Sequence, residues 1–191
     1  MPNNRPVKAF DLENIKKKDC PMIVFCRDRK NLISRLISNF THGHNHVMEL
    51  WSPQYFASQN FNGYSRVAIN KYNKKHIHLM FYKPKLSIKD RKLWLQEISK
   101  AIKAIENKPW YHRIINRQGY DYLGILGQLI GIDQINNPWK EYCSEDVTGK
   151  IRRRMKLNPV QAKPNPQELF VFVDGHPDFE YMGELNPPAK T

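Results

Sequence analysis

The chain has 191 residues, the size of one ordinary domain, and is long enough to bury a hydrophobic core without covalent cross-links. It contains 3 cysteines, an odd number without paired metal-ligand spacing, which indicates neither a disulfide framework nor a zinc ribbon. Lys and Arg total 31 against 18 Asp and Glu, and the resulting formal charge of +13 is compatible both with an ordinary solvated surface and with contact to an anionic polymer or a nucleic acid.

The start of the chain, MPNNRPVKAF, is polar and lacks the apolar segment of a secretory signal peptide. No run approaches the ~20 apolar residues that a membrane-spanning helix needs. We therefore expect no export signal and no membrane span, and a location either in the cytoplasm or inside a larger particle.

Short runs rich in β-branched and aromatic residues predict a small sheet. These runs are PMIVFC (21–26), HVMELW (46–51), YFASQ (55–59), YSRVAI (64–69) and HIHLMFY (76–82). The second and third flank the turn residues SPQ and are expected to form a hairpin. Between the first two runs, NLISRLISNF (31–40) has apolar residues at helical spacing and predicts a short amphipathic helix.

A long helix is predicted to begin after Ser87, with Asp90 at the reciprocal capping position. Its apolar stripe consists of Leu95, Ile98, Ile102 and Ile105. Further along, YDYLGILGQLIG (120–131) is apolar but contains several glycines, which favours a helix that packs closely against its neighbours.

The last predicted helix starts at Cys143. The apolar residues Cys143, Val147, Ile151 and Met155 recur at i+4 spacing, so the cysteine is expected to head a buried stripe. The proline-rich run NPVQAKPNP (158–166) ends this helix, and residues 168–183 return to a core-like composition before a polar tail from about residue 185. We find no repeat and no internal boundary, so residues 1–191 are read as a single domain.

Cys143 has two interpretations. On an apolar helical stripe, a cysteine is usually a small buried hydrophobic residue. In the first turn of a helix, however, the unpaired backbone N–H groups can stabilise a thiolate and donate to an oxyanion. Glu145 and Asp146 would oppose thiolate formation, so activation would need a histidine partner.

Candidates for that partner lie in THGHNHVMEL, where His42, His44 and His46 precede a predicted strand. Only His46 directly adjoins the apolar run. Alternatively, the three could share a strand face and bind a metal ion together with His76 or His78, although the glycine at 43 predicts a turn that would break that face. The simplest reading of His42 and His44 is a polar loop.

Four segments together resemble a known family. They are MIVFCRDRKNLISRLISNFTHGHNHVMEL (22–50), GYDYLGILG (119–127), YCSEDV (142–147) and NPQELFVFVDGHPDFEYMG (165–183). In content and order they are similar to papain-like cysteine hydrolases of the NlpC-type cell-wall peptidase superfamily, in the circularly permuted branch where the histidine strand precedes the cysteine helix. The resemblance implies an α+β fold of papain-like type. Its small antiparallel sheet or partial barrel would pack against helices, with the cysteine at a helix N-terminus.

The resemblance also implies roles for individual residues. Cys143 would be the nucleophile, His46 its base, and Tyr120 the tyrosine that borders the oxyanion site. The polar residue that orients the histidine is expected to be Ser58, 12 residues after His46, or the adjacent Gln59. The family often carries this group just before an Ala-Ser pair, a position that Phe56 occupies here. No metal and no organic cofactor is required.

Peptidoglycan stem peptides are the first substrate that the resemblance implies. Lipid-linked or protein acyl bonds are the second. Two alternatives remain. The chain could be a weakly active or inactive papain-like domain that serves as a component of a larger assembly such as a bacteriophage particle, in contact with other proteins. It could also be a basic nucleic-acid-binding protein.

Overall fold

The computed structural model describes residues 6–30, 43–60, 63–107, 143–159 and 164–187. Within these ranges there are six strands: β1 (Met22–Asp28), β2 (His46–Ser52), β3 (Tyr55–Asn60), β4 (Gly63–Ala68), β5 (Ile77–Pro84) and β6 (Phe179–Leu185). The helices of the same ranges are α1 (Ile88–Glu106), α2 (Cys143–Lys150), which continues as the π-helix Ile151–Met155, and α3 (Pro166–Gly175). Short 3₁₀ turns occupy Lys17–Asp19 and Ile69–Lys71.

The strands form one open antiparallel sheet in the order β4-β3-β2-β1-β5-β6. The predicted strands and the β2–β3 hairpin are present, and the α+β class is confirmed. Residues 168–183, for which the sequence predicted only a core-like composition, contribute most of α3 and the first part of β6. The helices predicted for 31–40 and 120–131 lie outside the described residues.

Both faces of the sheet are covered by apolar side chains. The helix-side core contains Ile23, Phe25 and Val47 together with the buried residues of α1, α2 and α3. The far-side core contains the alternate residues of the same strands, and there Phe10 stacks on Phe81 with ring centroids 3.7 Å apart. Burial on two faces explains why the strands read as nearly continuous apolar runs.

The long helix begins as its capping sequence predicts. Ser87 Oγ accepts a hydrogen bond from the N–H of Asp90 at 3.1 Å, which satisfies one donor of the first turn. The apolar stripe differs slightly from the predicted one, because Trp94, rather than Leu95, is the first fully buried residue. The wide indole fills the space beside β4 and β2, and Leu95 is left half-buried.

The helix that starts at Cys143 is also as predicted. Cys143, Val147 and Ile151 are buried in the helix-side core, and Met155 packs partly buried against it. No helix in the described part of the chain is long and apolar enough to cross a membrane.

Candidate active site

His46 and Ser58 meet at the end of the β2–β3 hairpin that lies away from its turn. His46 is the first residue of β2, and its Nε2 lies 2.6 Å from Ser58 Oγ on β3. Ser58 is only 1% exposed, so its hydroxyl is held in a fixed environment. Of the three positions considered for the residue that orients the histidine, the structure places Ser58 beside the ring.

The structure gives the environment of Phe56 and the strand register of Gln59. Phe56 is fully buried in the far-side core, where it contacts the ring of Tyr72 edge-on. Gln59 lies on β3 opposite Tyr64 of β4 in the strand register. Tyr120, expected at the oxyanion site, lies outside the described residues.

The thiol of Cys143 reaches the same end of β2. Its Sγ accepts a hydrogen bond from the backbone N–H of Val47, the residue after His46, at 3.4 Å. β2 and β3 pair from Glu49–Ala57 to Ser52–Tyr55, and Val47 lies two residues beyond this paired stretch. The first residue of α2 therefore inserts its sulfur where the two strands separate.

The thiol and the imidazole approach this point from opposite faces of the sheet. Cys143 belongs to the helix-side core, whereas His46 and Ser58 alternate in phase with Met48 and Phe56 of the far-side core. Burial, with a smaller contribution from the charge of Asp28, raises the pKa of Cys26, the direct cross-strand partner of His46.

Tyr72 is a half-buried tyrosine that packs against the far-side core, and the sequence did not single it out. Burial raises the pKa of its phenol, and the charges of Cys26 and Cys143 raise it further. It lies in the segment NKYNKKH (70–76), whose sequence indicates only a high positive charge. Its ring contacts Phe56 edge-on in the far-side core, a contact between distant parts of the chain that no local pattern specifies.

Burial sets the protonation states of His46, Cys26 and the more distant Cys20. Desolvation lowers the pKa of His46 to about 4, so the ring is neutral at pH 7 and able to accept a proton. Burial, followed by the charge of Asp19, raises the pKa of Cys20 to about 11, and the pKa of Cys26 is raised too. Cys20 and Cys26 are therefore protonated at neutral pH and poor nucleophiles.

Further along β2, at Glu49, a buried polar cluster that the sequence did not reveal fixes α2 to the strand. Glu49, 1% exposed, accepts hydrogen bonds from Tyr64 Oη and Trp94 Nε1 and from Lys150 Nζ, the last at 2.8 Å. Lys150 also bonds Asp146 one turn earlier on α2. We call these five residues the Glu49 cluster.

The Glu49 cluster keeps Lys150 charged in an apolar setting. Burial lowers the pKa of Lys150, but the carboxylates of Glu49 and Asp146 outweigh this and raise it. Burial raises the pKa of Glu49, which the attraction of Lys150 opposes. In the sequence, only a glutamate inside the apolar run HVMELW and the i, i+4 pair Asp146–Lys150 pointed to such a contact.

The remaining histidines of the region have other partners. His44 lies between Phe25 and Phe170, and its Nδ1 is 3.0 Å from Gln167 Oε1 on α3. His78 bonds the carboxylate of Glu184 on β6. His44 contacts the helix-side core whereas His46 bonds Ser58, so the shared histidine face of the metal hypothesis does not form; His42 lies outside the described residues. Within the described ranges, no three His, Cys, Asp or Glu side chains converge in a metal-binding geometry.

No protein-family model matches the chain, and a search of curated proteins found no match. The family resemblance of the four segments therefore enters only as a proposal.

Proposed function

We propose that the protein is a papain-like thiol hydrolase that cleaves amide or related acyl bonds. The observation that carries this proposal is the meeting of α2 and β2. The sulfur of Cys143 contacts the backbone beside His46, and the ring of His46 is held by Ser58. A nucleophile at a helix start, a neutral base and a residue that orients the base are the parts that thiol catalysis requires.

Each group then has a defined task. The proposed proton exchange joins two groups on opposite faces of the sheet, so the imidazole of His46 has to reach the Cys143 thiol past the point where β2 and β3 separate. His46 takes the thiol proton, the thiolate attacks the carbonyl carbon, and a bond forms between sulfur and the acyl carbon. The bond from this carbon to nitrogen then breaks, and His46 returns the proton to the departing amine. Water hydrolyses the thioester and regenerates the thiol.

The start of α2 supplies the electrostatic part of this proposal. Backbone N–H groups in a first helical turn have no partner within the helix, and a developing oxyanion above Cys143 would accept from them. Each such donor contributes on the order of 100-fold in rate. Glu145 and Asp146 in the same turn disfavour a resting thiolate, so the neutral His46 has to act as a true base during attack.

An anionic substrate suits the surroundings of the site. The loops at this end of the sheet carry exposed Arg29, Lys30, Lys74 and Lys75, and the N–H of Arg29 bonds the carbonyl of His76 at 3.2 Å, which joins the two loops. A positive field over a cleft raises the local concentration of anionic ligands. Among acyl substrates we therefore favour peptides that bear carboxylates, with peptidoglycan stem peptides first.

Alkylation of the folded protein with iodoacetamide at pH 7 tests the proposal. We expect Cys143 to react about tenfold or more faster than Cys20 and Cys26, and to lose this advantage in His46→Ala. Release of amines from stem peptides should follow the same variants and be absent in Cys143→Ala. Equal, slow alkylation of all three cysteines, with no amine release, would contradict a thiol hydrolase.

That outcome would favour the second candidate, an inactive papain-like domain within a larger assembly such as a phage particle. One observation supports this candidate: Cys143 is only 2% exposed. A structural thiol of this kind would be alkylated only on unfolding, at a rate that does not respond to His46→Ala.

A further inference from the structure

A groove crosses the surface at the opposite end of β2 from His46. It lies between the β2–β3 turn, represented by Trp51 and Pro53, and the first three turns of α1, with Lys17 on its border. Its volume is about 610 Å³, within the range of small-molecule sites. Four residues of β2, roughly 13 Å of strand, separate the Val47 contact of Cys143 from Trp51 at the groove, so the groove is a distinct site.

The floor of the groove is apolar. Trp51 packs one part of its indole against the helix-side core and lines the groove with another. Leu95 and Pro53 extend this surface, and Ile88 at the start of α1 is 90% exposed. Trp51, Pro53, Leu95 and Ile88 line the same groove, and apolar residues gathered in one groove are typical of a surface that receives an apolar ligand.

The border of the groove is cationic. Of the lining residues, all of which belong to the described part of the chain, Lys17, Arg91 and Lys92 are cationic and none is acidic. Arg91 is oriented by a hydrogen bond from its guanidinium to the carbonyl of Lys18.

Nearby carboxylates are already paired with other groups. Asp19 bonds Lys83 at 2.8 Å, Asp90 accepts from Ser87 Oγ, and Glu97 bonds Arg153 and Arg154. Lys83 neutralises Asp19, and Arg153 and Arg154 neutralise Glu97. Of these three carboxylates, Asp90 alone has a neutral partner and offsets part of the positive field of Lys17, Arg91 and Lys92.

We propose that this groove binds a fatty carboxylate, with its alkyl chain along Trp51 and Leu95 and its carboxylate at Lys17, Arg91 and Lys92. Burial of the chain provides most of the affinity, at about 25 cal/mol per Å² of apolar surface removed from water. The cationic border selects the charge of the head group, because a positive or neutral head gains nothing from it. The groove has no group that would act chemically on the ligand, so the site is for binding.

Isothermal titration of the full chain, below micelle-forming concentrations, tests this proposal with three ligands of equal chain length. Decanoate should bind, decyl maltoside should bind more weakly, and decyltrimethylammonium should bind weakest. The double variant Lys17→Gln/Lys92→Gln should weaken decanoate binding about fivefold or more, and added salt should reduce the effect. Lys100→Gln, an exposed lysine of α1 outside the groove, should leave binding unchanged.

Ile88→Asn tests the apolar half of the site without disturbing the core, because this side chain is 90% exposed. It should weaken decanoate and decyl maltoside by the same factor. Absence of decanoate binding, equal affinity for all three ligands, or equal loss in Lys100→Gln would overturn the proposal.

Discussion

The backbone N–H of Val47 donates to the sulfur of Cys143 at 3.4 Å, across 96 positions of the chain. This contact places a thiol at the start of a helix next to the residue that follows His46, at the point where β2 and β3 cease to pair. The hydrogen bond from His46 to Ser58 lies on the other side of the same point. The predictions below depend on these two contacts, on the charged groups around them and on the Glu49 cluster beneath them.

Removal of the Ser58 hydroxyl should impair the proposed chemistry more than it impairs folding. Without its partner at 2.6 Å, the imidazole of His46 loses its orientation, and a small displacement of a catalytic group costs up to about 100-fold in rate. We expect Ser58→Ala to slow alkylation of Cys143 at pH 7 by at least about tenfold. Ser58→Thr, which retains a hydroxyl, should restore most of the rate. If alanine and threonine behave alike, Ser58 does not position the ring.

Stability should fall as the pH drops from neutral towards 4. Burial lowers the pKa of both His44 and His46 from the usual 6.5 to about 4, so the unfolded chain binds protons that the folded chain does not. The stabilisation is complete above pH 6.5 and is lost as the pH falls to about 4, by on the order of 3 kcal/mol for each histidine. Urea unfolding at a series of pH values measures this loss. A His44→Gln/His46→Gln variant should show a shallower pH dependence, and an unchanged slope would disagree with neutral buried rings.

Loss of one partner of the buried ion pair in the Glu49 cluster should lower the stability of the protein strongly. Glu49→Gln leaves the ammonium of Lys150 buried with a weaker acceptor, and loss of one member of such a pair costs about 3–5 kcal/mol. Glu97→Gln, which removes the partner of Arg153 and Arg154 near the surface, should cost less than about 1 kcal/mol. Urea midpoints of the two variants give the comparison.

Replacement of both members of the pair provides the complementary test. Glu49→Leu/Lys150→Met should be less destabilised than Glu49→Gln, because neither burial of an unpaired charge nor its desolvation remains. A double variant as unstable as the sum of its single variants would show that the two groups do not interact.

The basic loops should distinguish charged from neutral reagents at Cys143. Iodoacetate carries the charge that these loops attract, whereas iodoacetamide of similar size does not. Lys74→Gln/Lys75→Gln should therefore slow alkylation by iodoacetate about threefold at low salt and leave iodoacetamide unaffected. Lys100→Gln, on the distant helix α1, serves as the matched control. If both reagents respond equally, the loops act on the fold rather than on the approaching anion.

Local patterns in the sequence were sufficient for much of the architecture. The pair Ser87 and Asp90 marked the start of α1, because the capping bond joins residues only three positions apart. The turn SPQ between two alternating runs marked the β2–β3 hairpin. The i+4 spacing from Cys143 predicted a helix with the thiol at its head.

Other features were decided by contacts that no local pattern encodes. The sequence left Ser58 and Gln59 open as the partner of His46, and the contact with Ser58 depends on strand alternation and on where β2 and β3 separate. The bond from Lys150 to Glu49 joins residues 101 positions apart, and the bond from His78 to Glu184 joins residues 106 apart. Chain periodicity sets which side chains share a face of one element, but only packing of the whole sheet against its helices sets which elements meet. For this reason the sequence itself determined the elements, the charge and the candidate nucleophile, while the tertiary structure decided the neighbours of the thiol and the buried ion pair beneath it.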